Sequence, residues 1–146
     1  MQKGFTLIEL LIVIAIMGTV ALFVFDSFVE YRDTQQVRAT VVEVTSIIKE
    51  TRQRTISSET DTQFGVYIAT SSLTVFEGST YNPVGANNRV FEIPKVELST
   101  LLSDLSSEVV FARLSGVPSA TGTISIYDGG LNSTTTITIQ GSGLLE

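Results

Sequence analysis

The chain has 146 residues, with 9 Lys and Arg against 15 Asp and Glu, a net charge of −6. That acidic balance argues against nucleic acid as a default partner. With neither His nor Cys present, the usual zinc sites and nucleophile–base pairs are excluded, and disulfides give no information about redox compartment.

The N-terminal stretch organises everything after it. From Phe5 to Phe25 the chain is predominantly apolar and carries no charge apart from Glu9. At about 1.5 Å per residue, a helix of this length spans roughly 30 Å, the thickness of a bilayer's hydrocarbon core. A helix is the single-segment form that pairs every backbone group internally where water is absent. Glu9 is the anomaly, because an ionised carboxylate in an apolar helix is costly until it finds a partner, and such a residue points to function. A secretory signal peptide is opposed by the four-residue region before the apolar run, by Glu9 inside that run, and by Leu22 to Phe25 following the small residues around Gly18 to Ala21. A plain single-span anchor leaves Glu9 without a role. Lys3, the one charge ahead of the span, argues that the leader stays on the cytoplasmic side while the rest is exported.

The run Lys3-Gly4-Phe5-Thr6-Leu7-Ile8-Glu9-Leu10-Leu11-Ile12-Val13-Ile14-Ala15-Ile16 resembles the N-terminus of type IV prepilins and type II secretion pseudopilins. The resemblance implies cleavage by a prepilin peptidase after Gly4, N-methylation of the new terminal Phe5, and an assembly role for Glu9. It also implies as partners other pilin or pseudopilin subunits, an inner-membrane assembly platform and membrane lipid. A free amine on Phe5 would lie in the same apolar layer as Glu9, and four residues apart on a helix share a face. The family's mechanism then has Glu9 meet the amine of a neighbouring subunit. The Pro that pilins often carry near the end of the span is replaced here by Asp26, which removes the basis for expecting a kink.

From Ser27 the pattern becomes amphipathic, with Val37, Val41, Val44 and Ile48 at helical spacing on one face. No Pro or Gly interrupts the stretch from Thr19 to Thr55, so one helix is predicted from about Phe5 to about Ile56. Its stripe should pack on the chain's own soluble domain. Glu50 and Arg54 are spaced as a favourable i,i+4 pair. Arg52 and Arg54 read as a solvated face that could touch an acidic partner.

Beyond the polar break at 57–62 the period becomes alternating. Residues 63–68 and 73–76 read as strands about a 70–72 turn, 77–89 as a loop, and 90–93 as a strand stopped by Pro94. Leu98 to Leu105 is ambiguous between a helical turn and a strand. Glu108 to Leu114 reads as a strand ended by Ser115-Gly116. A final hairpin joins 123–127 to 135–139 through Asp128-Gly129-Gly130. Asp128, Gly129, Gly130 and Asn132 lack the alternating oxygen ligands of a calcium loop, and a hairpin turn requires these residue types anyway.

The order of elements after the span resembles the globular domain of the GspH/FimT class of minor pseudopilins, strongly for residues 1–25 and as a weak pattern over 37–143. Together these readings give an α+β protein, a long N-terminal helix packed on an antiparallel β-sheet. Its segments are a leader at 1–4, a transmembrane half-helix at 5–25, an amphipathic half-helix at 26–56 and a β-rich domain at 57–146. The expected role is non-enzymatic and without a cofactor. The protein would be made as a single-pass inner-membrane subunit with its domain outside the cytoplasm, then assembled into a type II secretion pseudopilus or type IV pilus as a minor subunit. A major pilin of a surface fibre is the alternative. A DNA-uptake role like that of one branch of the class is disfavoured, since residues 140–146 contain no Lys or Arg.

Overall fold

The computed structural model describes residues 4–146, and of residues 23–30 the backbone alone. Lys3 therefore lies outside the described residues, as do the side chains of Asp26 and Phe25. Contacts divide the chain into two units, Met1–Gln35 and Gln36–Glu146. One helix, α1 (Leu7–Ile56), contributes to both.

The helix begins and ends on identifiable caps. Thr6 accepts the Glu9 amide on its Oγ1 at 3.3 Å and the Leu10 amide on its carbonyl at 3.2 Å. Thr6 thus acts as N-cap, with an acidic residue at the third helical position, the pattern of a capping box. At the other end Ser58 adopts a left-handed φ of 54°. Its amide donates to the Thr55 carbonyl and the Glu59 amide to the Arg54 carbonyl. This pair of bonds is a Schellman closure with Ser where Gly is usual.

In the second unit, α1 buries Val37, Val44, Ile47 and Ile48, with Val41 half-buried beside them. This is the expected stripe, widened by Thr40, Thr51 and Thr55. The Thr51 hydroxyl donates to the Ile47 carbonyl and that of Thr55 to the Thr51 carbonyl, so neither is buried without a partner. The Thr55 hydroxyl also accepts the Phe64 amide at 3.2 Å, fastening the first strand to the helix.

Seven strands follow: β1 (Phe64–Ile68), β2 (Ser72–Glu77), β3 (Arg89–Glu92), β4 (Glu97–Leu102), β5 (Glu108–Val110), β6 (Gly122–Asp128) and β7 (Ser133–Ile139). The β-structure expected against the helix is divided between two antiparallel sheets. One has four strands in the order β3-β2-β1-β5 and the other three in the order β4-β6-β7. Val66 lies opposite Val75 and Val109 in the first sheet, and Ile124 opposite Ile137 in the second. Val44, Ile47 and Ile48 of the helix join the inward residues of both sheets in one core cluster.

Of the ambiguous stretch 98–105, the part through Leu102 is strand, because Leu98 and Leu102 enter the core and β4 pairs with β6 over six positions, while 103–105 turn, the Leu105 amide donating to the Leu102 carbonyl. The strand expected over 108–114 stops at Val110. Phe111 makes an isolated bridge to Pro118, and the chain reverses over 112–117, with the Ala112 amide donating to the Val117 carbonyl and Leu114 at a φ of 65°. The 78–88 loop lies over the outer side of β1 and β2, where Tyr81 stacks on Tyr67 at 4.1 Å between ring centroids and 8° between planes. Gly65 permits this arrangement. A Cβ there would fall 2.4 Å from the Phe76 ring, which is itself tilted against Tyr81.

Candidate functional site at the start of the helix

Gly4 and Phe5 precede the first helical residue, and no atom lies within 4 Å of where a Gly4 Cβ would point. The Gly4–Phe5 peptide bond is thus outside the helix. Because α1 begins at Leu7, Phe5 stands ahead of the cap. In the uncleaved chain the helix thus begins two residues later than the expected start at about Phe5. Thr6 takes the capping position, and a residue before the cap has no fixed helical bearing.

Glu9 sits in the first turn, where the unpaired amides and the helix dipole favour negative charge by a few tenths to about 1 kcal/mol. It is exposed, and among the described residues no cation pairs with it. Its surroundings are apolar and uncovered: Phe5 and Leu7 are 81% exposed, and even Val13 is 46% exposed. The Thr19 hydroxyl turns back onto the Ala15 carbonyl at 2.6 Å, so this side of the helix presents one fewer free polar group. Among the described residues no helix is long and apolar enough to cross a membrane. The span expected from Phe5 to Phe25 continues past Leu22, where side chains are no longer described.

In the second unit, the expected Glu50–Arg54 pair is absent. Glu50 faces Arg89 at 3.5 Å. Arg54 lies 4.5 Å over the Phe64 ring and reaches Glu59 at 2.8 Å, beyond the helix end. Arg52 is not a solvated residue either. Its guanidinium donates to the carbonyls of Gly116 and Ser142 at 3.0 and 3.1 Å, joining the 112–117 reversal to the C-terminal turn. Both corrections come from beyond the helix: Arg54 turns to Glu59 and the Phe64 ring just past its end, and Arg52 to carbonyls in two turns remote in sequence.

Glu77 accepts from Thr62 at 2.6 Å and from Asn87 at 2.7 Å. The Thr62 bond first, then Thr60 and Asn87, hold its carboxyl below the usual value. The amide and hydroxyl of Ser106 do the same to Asp104. Both carboxylates fasten loops and neither lies in a cleft. Asp128 Oδ1 accepts the amides of Gly130 and Leu131 at 2.7 and 3.0 Å, making it the turn-former of the last hairpin. Among the described residues no group of three or more His, Cys, Asp or Glu could hold a metal ion.

Sequence spacing missed the cap at Thr6, although Thr6-Leu7-Ile8-Glu9 carries the Thr-x-x-Glu signature. It also missed Arg52, whose partners lie 64 and 90 residues away and leave no local signal.

Residues 1–25 match the prokaryotic N-terminal methylation motif. The fold is similar to that of the type IV minor pilin FimU of Pseudomonas aeruginosa, with a TM-score of 0.55 and 13% identity over 75% of this chain and 90% of that one. A comparison with the curated proteins gives no match. At 13% identity the structural likeness speaks for the fold, and the motif speaks for the N-terminus. The chain therefore joins an N-terminal methylation motif over residues 1–25 to a fold similar to that of a type IV minor pilin.

Proposed function

We propose that this protein is a non-enzymatic minor subunit of a type IV pilus or type II secretion pseudopilus. A prepilin peptidase cuts it after Gly4, and Phe5 becomes the N-methylated first residue. The apolar half of α1 holds the protein in the inner membrane as a single span, with residues 36–146 outside the cytoplasm. An assembly platform then draws it from lipid into a fibre, where Glu9 takes the terminal amine of a neighbouring subunit.

One observation carries this reading. A run of large apolar residues from Phe5 to Leu22 is exposed throughout the described part, around an acidic residue with no cation among the described residues. Apolar surface of that extent calls for lipid or other subunits to cover it. The likeness of the fold to a minor pilin supports the minor rather than the major role.

Replacing Glu9 by Ala is expected to leave membrane insertion and cleavage intact while the variant disappears from sheared filaments. Undiminished copolymerisation of Glu9→Ala would contradict the pairing. Quantitative proteomics of the same filaments is expected to find the chain far below the major subunit, and parity with it would contradict the minor role.

A further inference from the structure

Three connections of the second unit meet around a cleft of about 390 Å³, near the lower end of the range that holds small ligands. Its walls come from Ser71 in the β1–β2 turn, from residues 93–97 between β3 and β4, and from Tyr127 with Gly129 and Gly130 at the β6–β7 turn. Two backbone bonds tie the first two walls together: the Ile93 amide donates to the Ser71 carbonyl at 2.8 Å and the Leu98 amide to the Thr70 carbonyl at 2.7 Å.

Glu97 and Tyr127 are neighbours in this cleft. They lie opposite each other in the antiparallel pair of β4 and β6, so their side chains stand on one face with Cβ atoms about 4.5–5.5 Å apart. The Tyr127 hydroxyl donates to Asn132 Oδ1 at 3.1 Å, which fixes the ring. Gly129 leaves the ring edge open, since a Cβ there would lie 3.8 Å from Tyr127 Cε1. Glu97 is exposed, and among the described residues its carboxylate takes part in no hydrogen bond or ion pair. It is the one charge on the outward side of a sheet whose strands contain no Lys or Arg. The nearest cation in sequence is kept away. Lys95 has a left-handed φ of 72°, a conformation disfavoured for a side chain of its size, and its ammonium donates to Gln36 Oε1 at 3.1 Å. The fold thus sets a carboxylate beside an aromatic ring and supplies no counter-ion.

We propose that this cleft binds an arginine side chain of a partner polypeptide, its guanidinium lying over the Tyr127 ring and donating two N–H bonds to the Glu97 carboxylate. A planar cation satisfies both groups at once, stacking on the ring and meeting the carboxylate as a fork. Lysine brings a point charge without the fork. An anionic ligand is opposed by Glu97 and by the chain's net charge of −6, and an apolar one would cover the carboxylate without giving it a partner. The inference does not rest on the fibre reading.

The test titrates the full chain in detergent micelles with the blocked peptide acetyl-Gly-Ser-Arg-Ser-Gly-amide, whose one charge is the guanidinium, and follows amide and ring signals by NMR. Shifts are expected at residues 71, 93–97 and 127–130. Citrulline in place of arginine, which keeps the shape and loses the charge, is expected to abolish them, and lysine to bind several-fold more weakly. Glu97→Gln is expected to weaken binding about tenfold or more and Tyr127→Leu several-fold, with thermal midpoints unchanged because both side chains are exposed. No shift up to about 10 mM peptide, equal shifts with the citrulline peptide, equal affinity for lysine, or unchanged binding by Glu97→Gln would overturn the inference. So would shifts at these positions that follow protein concentration without peptide, which would assign the cleft to a second copy.

Discussion

The two ends of α1 differ in how much of the chain covers them. Val13 and Val44 are the same residue on the same helix, yet the first is 46% exposed and the second completely buried. What differs is the chain brought against them: in Gln36–Glu146 two sheets supply the covering, while the described apolar residues from Phe5 to Leu22 have no comparable protein cover. A continuous helix is therefore no evidence of a continuous environment. Helical propensity and the lack of Gly or Pro after Thr19 carry the backbone through, and the surroundings decide what each half is for.

This contrast can be broken most sharply by matched truncations. Ile124→Ala, at a fully buried position in the core, is expected to lower unfolding stability by about 2–5 kcal/mol. Ile12→Ala, 54% exposed in the first unit, is expected to change the same denaturant midpoint by less than about 0.5 kcal/mol. Equal losses would show that the two halves share one core after all. Gly65→Ala should rank next, at about 1–3 kcal/mol, because the added methyl meets the Phe76 ring and forces the Tyr81 loop to shift; a fall in Tyr fluorescence anisotropy together with the midpoint would register it. Arg52→Ala is expected to cost about 1–2 kcal/mol by freeing the Gly116 and Ser142 carbonyls, with faster amide exchange confined to residues 112–117 and 141–146.

The smallest effect is acid dependence. Glu77 and Asp104 have folded-state values below their ordinary 4.5 and 3.8. The stability they contribute is thus present above those ordinary values and lost as pH falls through the lower folded ones. Thermal midpoints should be flat down to about pH 5 and decline below the ordinary carboxylate range. Combining Thr62→Val with Asn87→Ala removes two of the donors that lower Glu77 and should make that decline shallower. An unchanged acid limb would remove Glu77 from the account.

Much of this contrast was legible in the residues. The uninterrupted run after Thr19 gave the helix, the four-three-four spacing of Val37, Val41, Val44 and Ile48 gave its buried face, and Asp128-Gly129-Gly130 gave the last hairpin. These signals are local, so the chain states them within a turn or two. The division into two sheets was not legible, because β4 and β5 are separated in sequence by five residues yet pair with β6 and β1 respectively. Arg52 and Glu50 meet partners far away in sequence, the Gly116 and Ser142 carbonyls and Arg89, which leave no local signal. At the N-terminus, the residues Gly4, Phe5 and Glu9 stood out because their chemistry is anomalous for an apolar run, whereas the cap at Thr6 blended into it.

The measurement closest to the centre of the account is mass spectrometry of the N-terminal peptide of the protein recovered from membranes. A polypeptide beginning at Phe5 and bearing one added methyl group is the expected result. An intact Met1, or a start beyond Ala21, would mean that the apolar half of α1 serves some purpose other than anchoring and assembly.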